Sequence, residues 1–225
     1  MPVKRAKRTA AGAGMAPLKR PRSLMASAHE AIRAGIRDGV FEADVLYSES
    51  EVAVGLGISR TPVREAMNEL SREGLVEVLP QHGFRLRTLS AAEREEVFAL
   101  RLAVETLAAE RLAAAAGPAE IADLRRCLER QLQVRAEPGE FLEVDEALHL
   151  LIPELAGLAR TRSVLLSIRG SIWLIGSLAM TLAERADQVL AEHEAIVAAI
   201  AANDPAAAAA AVRAHLESTL AASAV

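Results

Sequence analysis

The stretch from Ile58 to Arg87, ISRTPVREAMNELSREGLVEVLPQHGFRLR, constrains the fold more than any other part of the chain. Ser59 or Thr61 can cap a helix that carries Pro62 in its first turn, where the missing N–H costs nothing. Apolar residues then recur at Val63, Ala66, Met67 and Leu70, the i, i+3, i+4, i+7 stripe of a helix lying on a core. The opposite face carries Arg60, Thr61, Arg64 and Asn68, side chains that donate to phosphates and to purine edges in a major groove. Gly74 stops the helix and the period falls to two: Val76 and Val78, then Phe84 and Leu86 inward, with Arg85 and Arg87 outward. Pro80-Gln81-His82-Gly83 turns the chain between these strands. Helix and basic-tipped hairpin together describe a winged helix-turn-helix, with His82, Gly83 and Arg85 of the wing joining Arg60, Thr61, Arg64 and Asn68 as the candidate DNA-contacting set. A solvated arginine face would explain each arginine singly. It does not explain cap, proline, spaced arginines, glycine stop and basic hairpin in one run.

The elements before this stretch complete a small domain over residues 23–89. Leu24, Ala28, Ile32 and Ile36 form the apolar line of a first helix that ends near Gly39. Ser48-Glu49-Ser50-Glu51 reads as a capping box opening a short second helix through Val52, Ala53 and Leu56. Gly55 and Gly57 then allow the turn into the recognition helix.

Charge divides the 225-residue chain unevenly. Residues 1–22 hold seven Lys or Arg and no acid, in a setting rich in Ala, Gly and Pro, which predicts a disordered basic arm. Met15 is an alternative start that would remove much of it. Residues 23–90 hold seven basic and ten acidic side chains, so the domain is not basic as a whole. DNA binding therefore requires Arg60, Arg64, Arg85 and Arg87 to share one face, with Glu69, Glu73 and Glu77 turned away. The single cysteine, Cys127, excludes an internal disulfide, and no secretory h-region is visible, so the cytoplasm is the expected compartment. The apolar run Gly170 to Ala183 follows Arg169 and is too short to span a bilayer. A buried core helix is expected there, with no membrane partner.

SRTPVREAMNELSREGLVEVLPQHGF closely resembles the DNA-binding signature of the GntR family of bacterial transcription regulators. The remainder is similar to that family's FCD subgroup, so the resemblance runs from about Ser23 to the end. It implies a homodimeric, ligand-responsive repressor whose two winged helices read an inverted-repeat operator in double-stranded DNA. One departure falls at Ser50, where some members carry a DNA-contacting arginine.

Residues 90–225 read as helices only, so the fold class is mainly α: an N-terminal winged helix-turn-helix, then an all-α antiparallel bundle for effector binding and dimerisation. Ser90 and Glu93 form another capping box, opening a helix to about Ala116 with Val97, Leu100, Val104 and Leu107 inward. Ile121, Leu124, Leu128 and Leu132 mark a second helix. A third spans Phe141 to about Ala156, a fourth Thr161 to Ala183, a fifth Asp187 to Ala202, and a sixth begins at Asp204-Pro205. Short connections favour antiparallel neighbours.

Asp145 and His149 stand four apart on the third helix and share a face. Each histidine of this half, taken alone, is explained as a polar contact inside a helical core. The FCD resemblance implies more: its metal quartet, an Asp-x3-His and two later histidines, falls on Asp145, His149, His193 and His215. One carboxylate and three imidazoles suit zinc, with nickel or manganese as alternatives. Family effectors are small organic acids, and a six-coordinate ion with four protein ligands has two positions for a carboxylate. Arg101, one turn before Glu105, is the candidate for the acid's other end, with Arg169 and Trp173 as further lining. Gly157-Leu158 departs from the family's usual Gly-Asn at the pocket rim. Two other classes remain open for this half: a dimerisation module with a structural metal, and a metal-dependent enzyme, against which stands the lack of a further Glu or His spaced as a dedicated base.

Overall fold

The computed structural model describes residues 23–43, 45–180 and 184–223. The basic arm at 1–22 lies outside them. Three helices open the described chain: α1 (Leu24–Arg37), α2 (Glu49–Leu56) and α3 (Arg60–Arg72). Two antiparallel strands follow, β1 (Val76–Leu79) and β2 (Gly83–Leu86), paired Val76 with Leu86 and Glu77 with Arg85. The stripe Val63, Ala66, Met67 and Leu70 closes over Ile32 and Ile36 of α1 and Phe84 of β2 to make one core. Ser59 takes the N-cap position of α3, although its hydroxyl makes no capping bond. Ser48 caps α2 by accepting from the Ser50 N–H at 3.2 Å.

Seven helices make the second half: α4 (Ala91–Ala113), α5 (Pro118–Gln133), α6 (Pro138–Leu155), α7 (Ala159–Ser167), α8 (Arg169–Ala179), α9 (Arg185–Ala201) and α10 (Pro205–Ala222). Their short links return each helix along its neighbour, and α10 packs against both α4 and α9 while α5 packs against α6 and α9. Leu112, Leu124, Leu148, Ile200 and Leu216 lie at the centre of this core. The Ser90–Glu93 capping box forms as expected, each side chain meeting the other residue's backbone N–H. No helix among the described residues is long and apolar enough to cross a membrane.

Two expectations need correction. Of the inward stripe expected on α4, Val97 is buried and Val104 packs beside it, but Leu100 and Leu107 are 41 % and 50 % exposed, while Arg101 and Glu105 are buried. The polar pair is drawn in because partners wait for it inside, as described below. The expected fourth helix is divided at Ile168 into α7 and α8, and its expected end at 181–183 falls outside the described residues. The break puts the first N–H groups of α8, which have no partner within a helix, against the winged-helix half. The Gly170 N–H donates to the Glu73 carbonyl at 2.8 Å. Only glycine permits this, since a Cβ there would sit 2.4 Å from that oxygen.

Candidate DNA interface and metal centre

On the winged helix, Arg60, Thr61, Arg64 and Asn68 are all exposed along one face of α3. Arg60, Arg64 and Asn68, with the turn carrying His82 and Gly83, border a groove of about 380 Å³ between recognition helix and wing; Thr61 lies outside its lining. Gly83 has a local reason for being glycine: with φ at +122°, a Cβ would lie 2.1 Å from the Tyr47 carbonyl oxygen. That close approach joins the wing to the chain leading into α2, because Tyr47 and Phe84 exchange backbone bonds of 2.8 and 3.0 Å. The wing arginines differ from expectation. Arg85 donates from Nε to Glu77 at 2.8 Å, its direct cross-strand partner, and Arg87 pairs with Glu93. Glu77 is therefore not turned away; strand register sets it beside Arg85. Glu69 pairs with Arg72, and Glu73 faces His29 and Arg169. Among the described arginines of this face, Arg64 makes no ion pair and Arg60 only a long one, 3.7 Å to Glu49.

In the helical half, Asp145 and His149 of α6, His193 of α9 and His215 of α10 bring one ligand atom each to within 4.8 Å of one another. Each imidazole is oriented from behind. His149 Nδ1 donates to Glu105 at 2.5 Å, His193 Nδ1 to the Gln131 side-chain oxygen at 2.8 Å, and His215 Nδ1 to Glu192 at 2.7 Å. A proton fixed on Nδ1 turns Nε2 towards the common centre. There the Nε2 atoms of His149 and His193 are buried without a hydrogen-bond partner. Burial drives the His193 ring well below its usual pKa, and the neighbouring His215 and His149 add to the effect. His215 is lowered as well, by burial first, although its bond to Glu192 opposes this. Converging lone pairs in a closed space repel and leave acceptors unmet. The donor set fits a divalent cation.

The acceptors behind the rings are held in turn by two buried arginines. Arg101 Nε donates to Glu105 at 2.6 Å, and the far oxygen of that carboxylate receives His149. Burial alone would raise the Glu105 pKa, but Arg101 and His149 outweigh it and hold the group ionised. Arg185 grips Glu192 at 2.7 and 3.0 Å and also donates to Thr219 at 2.8 Å. For Glu192 burial is again opposed, by hydrogen bonds from His215, Arg185 and Ser218, and the carboxyl is lowered to about 2. Two Arg–Glu–His relays thus converge on one centre. Gln131 and Arg185 were not anticipated; a Gln within an amphipathic helix and an Arg at a helix start read as surface residues, yet both are buried.

Arg101 also lines a cavity of about 20 Å³ beside Asp145 and His215, walled by Ile172, Gly176 and Ala179 of α8. Its Nη2 is buried with no partner. Arg169 and Trp173 do not line this cavity. Arg169 lies 3.4 Å from Glu73 and 3.5 Å from Glu146, and Trp173 packs on the winged-helix core, so the fold uses both to join its halves.

A DNA-reading winged helix joined to an all-helical domain with a closed polar centre defines a transcription regulator rather than an enzyme. Residues 24–86 match the bacterial regulatory proteins of the gntR family, and residues 96–218 match the FCD domain. The chain belongs to the GntR family, in its FCD subgroup. It is 43 % identical over 104 residues to an uncharacterized HTH-type transcriptional regulator of the TAR-I ttuE-ttuC' intergenic region of Agrobacterium vitis, a match covering 45 % of this chain and 61 % of that one. It is 26 % identical to the HTH-type transcriptional repressor RspR of Escherichia coli, over 76 % of this chain and 75 % of that protein. The solved structure of E. coli McbR/YncC superposes with a TM-score of 0.74 at 18 % identity, covering 88 % of this chain and 96 % of that one, which shows a shared fold.

Proposed function

We propose that this DNA-binding regulator is a homodimeric repressor that senses a small organic acid through a divalent metal held by Asp145, His149, His193 and His215. The observation that carries the reading is the convergence of three buried imidazoles and a carboxylate, each ring oriented by its own acceptor. Nitrogen-rich ligation with one carboxylate suits zinc, and nickel or manganese remain compatible. When bound, the ion supplies positive charge and open coordination positions for a carboxylate. The free Nη2 of Arg101 supports a role for that residue at the acid's other end. For repression the support is the name given to RspR.

Coupling to DNA has a physical route. A cavity of about 20 Å³ holds little more than one water molecule, so an organic acid can enter only by displacing its walls. One wall is α8, whose other end carries the Gly170–Glu73 bond and the Trp173 contact to the winged helix. On α6, Asp145 faces the centre while the adjacent Glu146 pairs with Arg33 of α1. Both helices touch the site and the DNA-binding half. By linkage, an acid that weakens DNA binding is itself weakened by DNA to the same degree. In a two-fold dimer the two recognition helices would meet an inverted repeat in adjacent major grooves. The exposed Leu100 and Leu107 of α4 support that helix as the dimer seam.

Metal analysis of the purified chain, with DNA fragments it selects from a random duplex pool, tests the reading. One ion per chain is expected, together with an organic acid that lowers affinity for the selected DNA only when the ion is present. Metal-loaded protein indifferent to every acid would leave a structural metal in a dimerisation module. Protein that takes up no ion would overturn the proposal.

A further inference from the structure

The groove between recognition helix and wing will face a polyanion, yet it contains a carboxylate. Glu49, in the first turn of α2, is the one acid among its described lining residues. Its side chain is only 14 % exposed, whereas that of Arg60 opposite is 69 % exposed, and Arg60 Nη2 lies 3.7 Å from Glu49 Oε2. The position of Glu49 is firmly set. Two residues before it, Tyr47 is bonded on both sides to Phe84 of the wing, and Ser48 caps the helix that Glu49 begins. A half-buried carboxylate thus meets a long, exposed cation on the face meant for DNA.

We infer that Glu49 is a positioning residue that sets specificity, holding Arg60 towards a base edge and away from the DNA backbone. Phosphates on either side of a major groove compete for any exposed arginine, and such contacts carry no sequence information. A carboxylate on one edge of the guanidinium opposes that capture by repelling the phosphates themselves. It leaves the other edge free to fork onto guanine O6 and N7. The inference builds on the reading of Arg60 as a base contact. Arg64, a turn further along the same face, makes no ion pair among the described residues and so lacks a carboxylate to hold it in the same way.

The test compares the full chain with Glu49→Gln, Arg60→Ala and the double variant, on DNA selected by the parent and on random duplex, across a salt series. Glu49→Gln keeps the size and helix position of the side chain and removes only its charge. It is expected to hold or raise affinity for random DNA and to lower the selected-to-random ratio about tenfold. The slope of log K against log salt on random DNA should steepen by roughly one, as the released Arg60 takes a phosphate. With Arg60→Ala already present, Glu49→Gln should change neither quantity. If Arg60→Ala lowers the ratio but Glu49→Gln leaves ratio and slope unchanged, Glu49 serves only to start α2 and the inference is overturned. A ratio that Glu49→Gln lowers equally in both backgrounds makes Glu49 a base contact in its own right, which also overturns it. If Arg60→Ala itself leaves the ratio unchanged, the base-contact reading of Arg60 falls first.

Discussion

At the residue scale, the tightest constraint sits behind His193, whose ring is fully buried and whose Nδ1 is answered by a neutral amide rather than a carboxylate. Gln131→Leu would fill similar space and leave that N–H without an acceptor. Outer partners of this kind change metal affinity by about 10–100-fold, so a loss in that range is expected when zinc is titrated against a competing chelator. Unaltered affinity would make Gln131 incidental packing. The four inward groups were legible because Asp-x3-His is a local spacing and the family pattern supplied the remote histidines. Gln131 and Arg185 were not legible, since what buries them lies on another helix, His193 for Gln131 and Ser218 and Thr219 of α10 for Arg185, and only the assembled bundle brings these near.

Among elements, α4 shows how hydrophobic periodicity can misplace part of a buried face: Val97 and Val104 face the core, Leu100 and Leu107 do not. The stripe Val97, Leu100, Val104, Leu107 is the most apolar one, but a helix with two buried duties has two candidate stripes. Arg101 and Glu105 turn inward because each charge finds the other at 2.6 Å and His149 beyond it. Leu100 and Leu107 are left outside, an arrangement a second copy of the chain would cover. Leu100→Glu with Leu107→Glu is therefore expected to convert dimer to monomer in sedimentation analysis and to weaken binding to an inverted repeat, with zinc uptake intact. A dimer that survives both changes would move the seam elsewhere. The winged helix was more legible, from Ser59 cap position to Leu86, because its signals are all local: proline early in the helix, glycine after it, and alternation in the strands. The pairing of Arg85 with Glu77 was missed because it follows from strand register, which composition does not carry.

For the whole molecule, the junction between the halves is where α6 and α8 meet the winged helix. The sequence places Arg169 and Trp173 in an apolar helix, and such a helix with one Arg and one Trp reads the same whether it faces a ligand or another domain. The fold assigns them to the junction, where Gly170 allows backbone to meet backbone. Gly170→Val would open that contact. Zinc and acid are expected to bind the variant as they bind the parent, while the acid's effect on DNA affinity should shrink towards none; an undiminished effect would place the coupling on another route.

Melting of the full chain with and without chelator, across a panel of small hydroxy- and dicarboxylates, separates an acid sensed through the metal from one held in a plain pocket. A ligand that binds only the folded chain stabilises it by about 4 kcal/mol at a thousandfold excess over its Kd. Chelation should lower the melting temperature of the parent and barely affect His193→Ala or His215→Ala. The effective acid should raise melting only for the zinc-loaded parent, and Arg101→Ala should keep the zinc response while losing most of the acid response. An acid that stabilises chelated and loaded protein alike would rule out sensing through the metal, leaving the histidines as polar lining of an ordinary pocket.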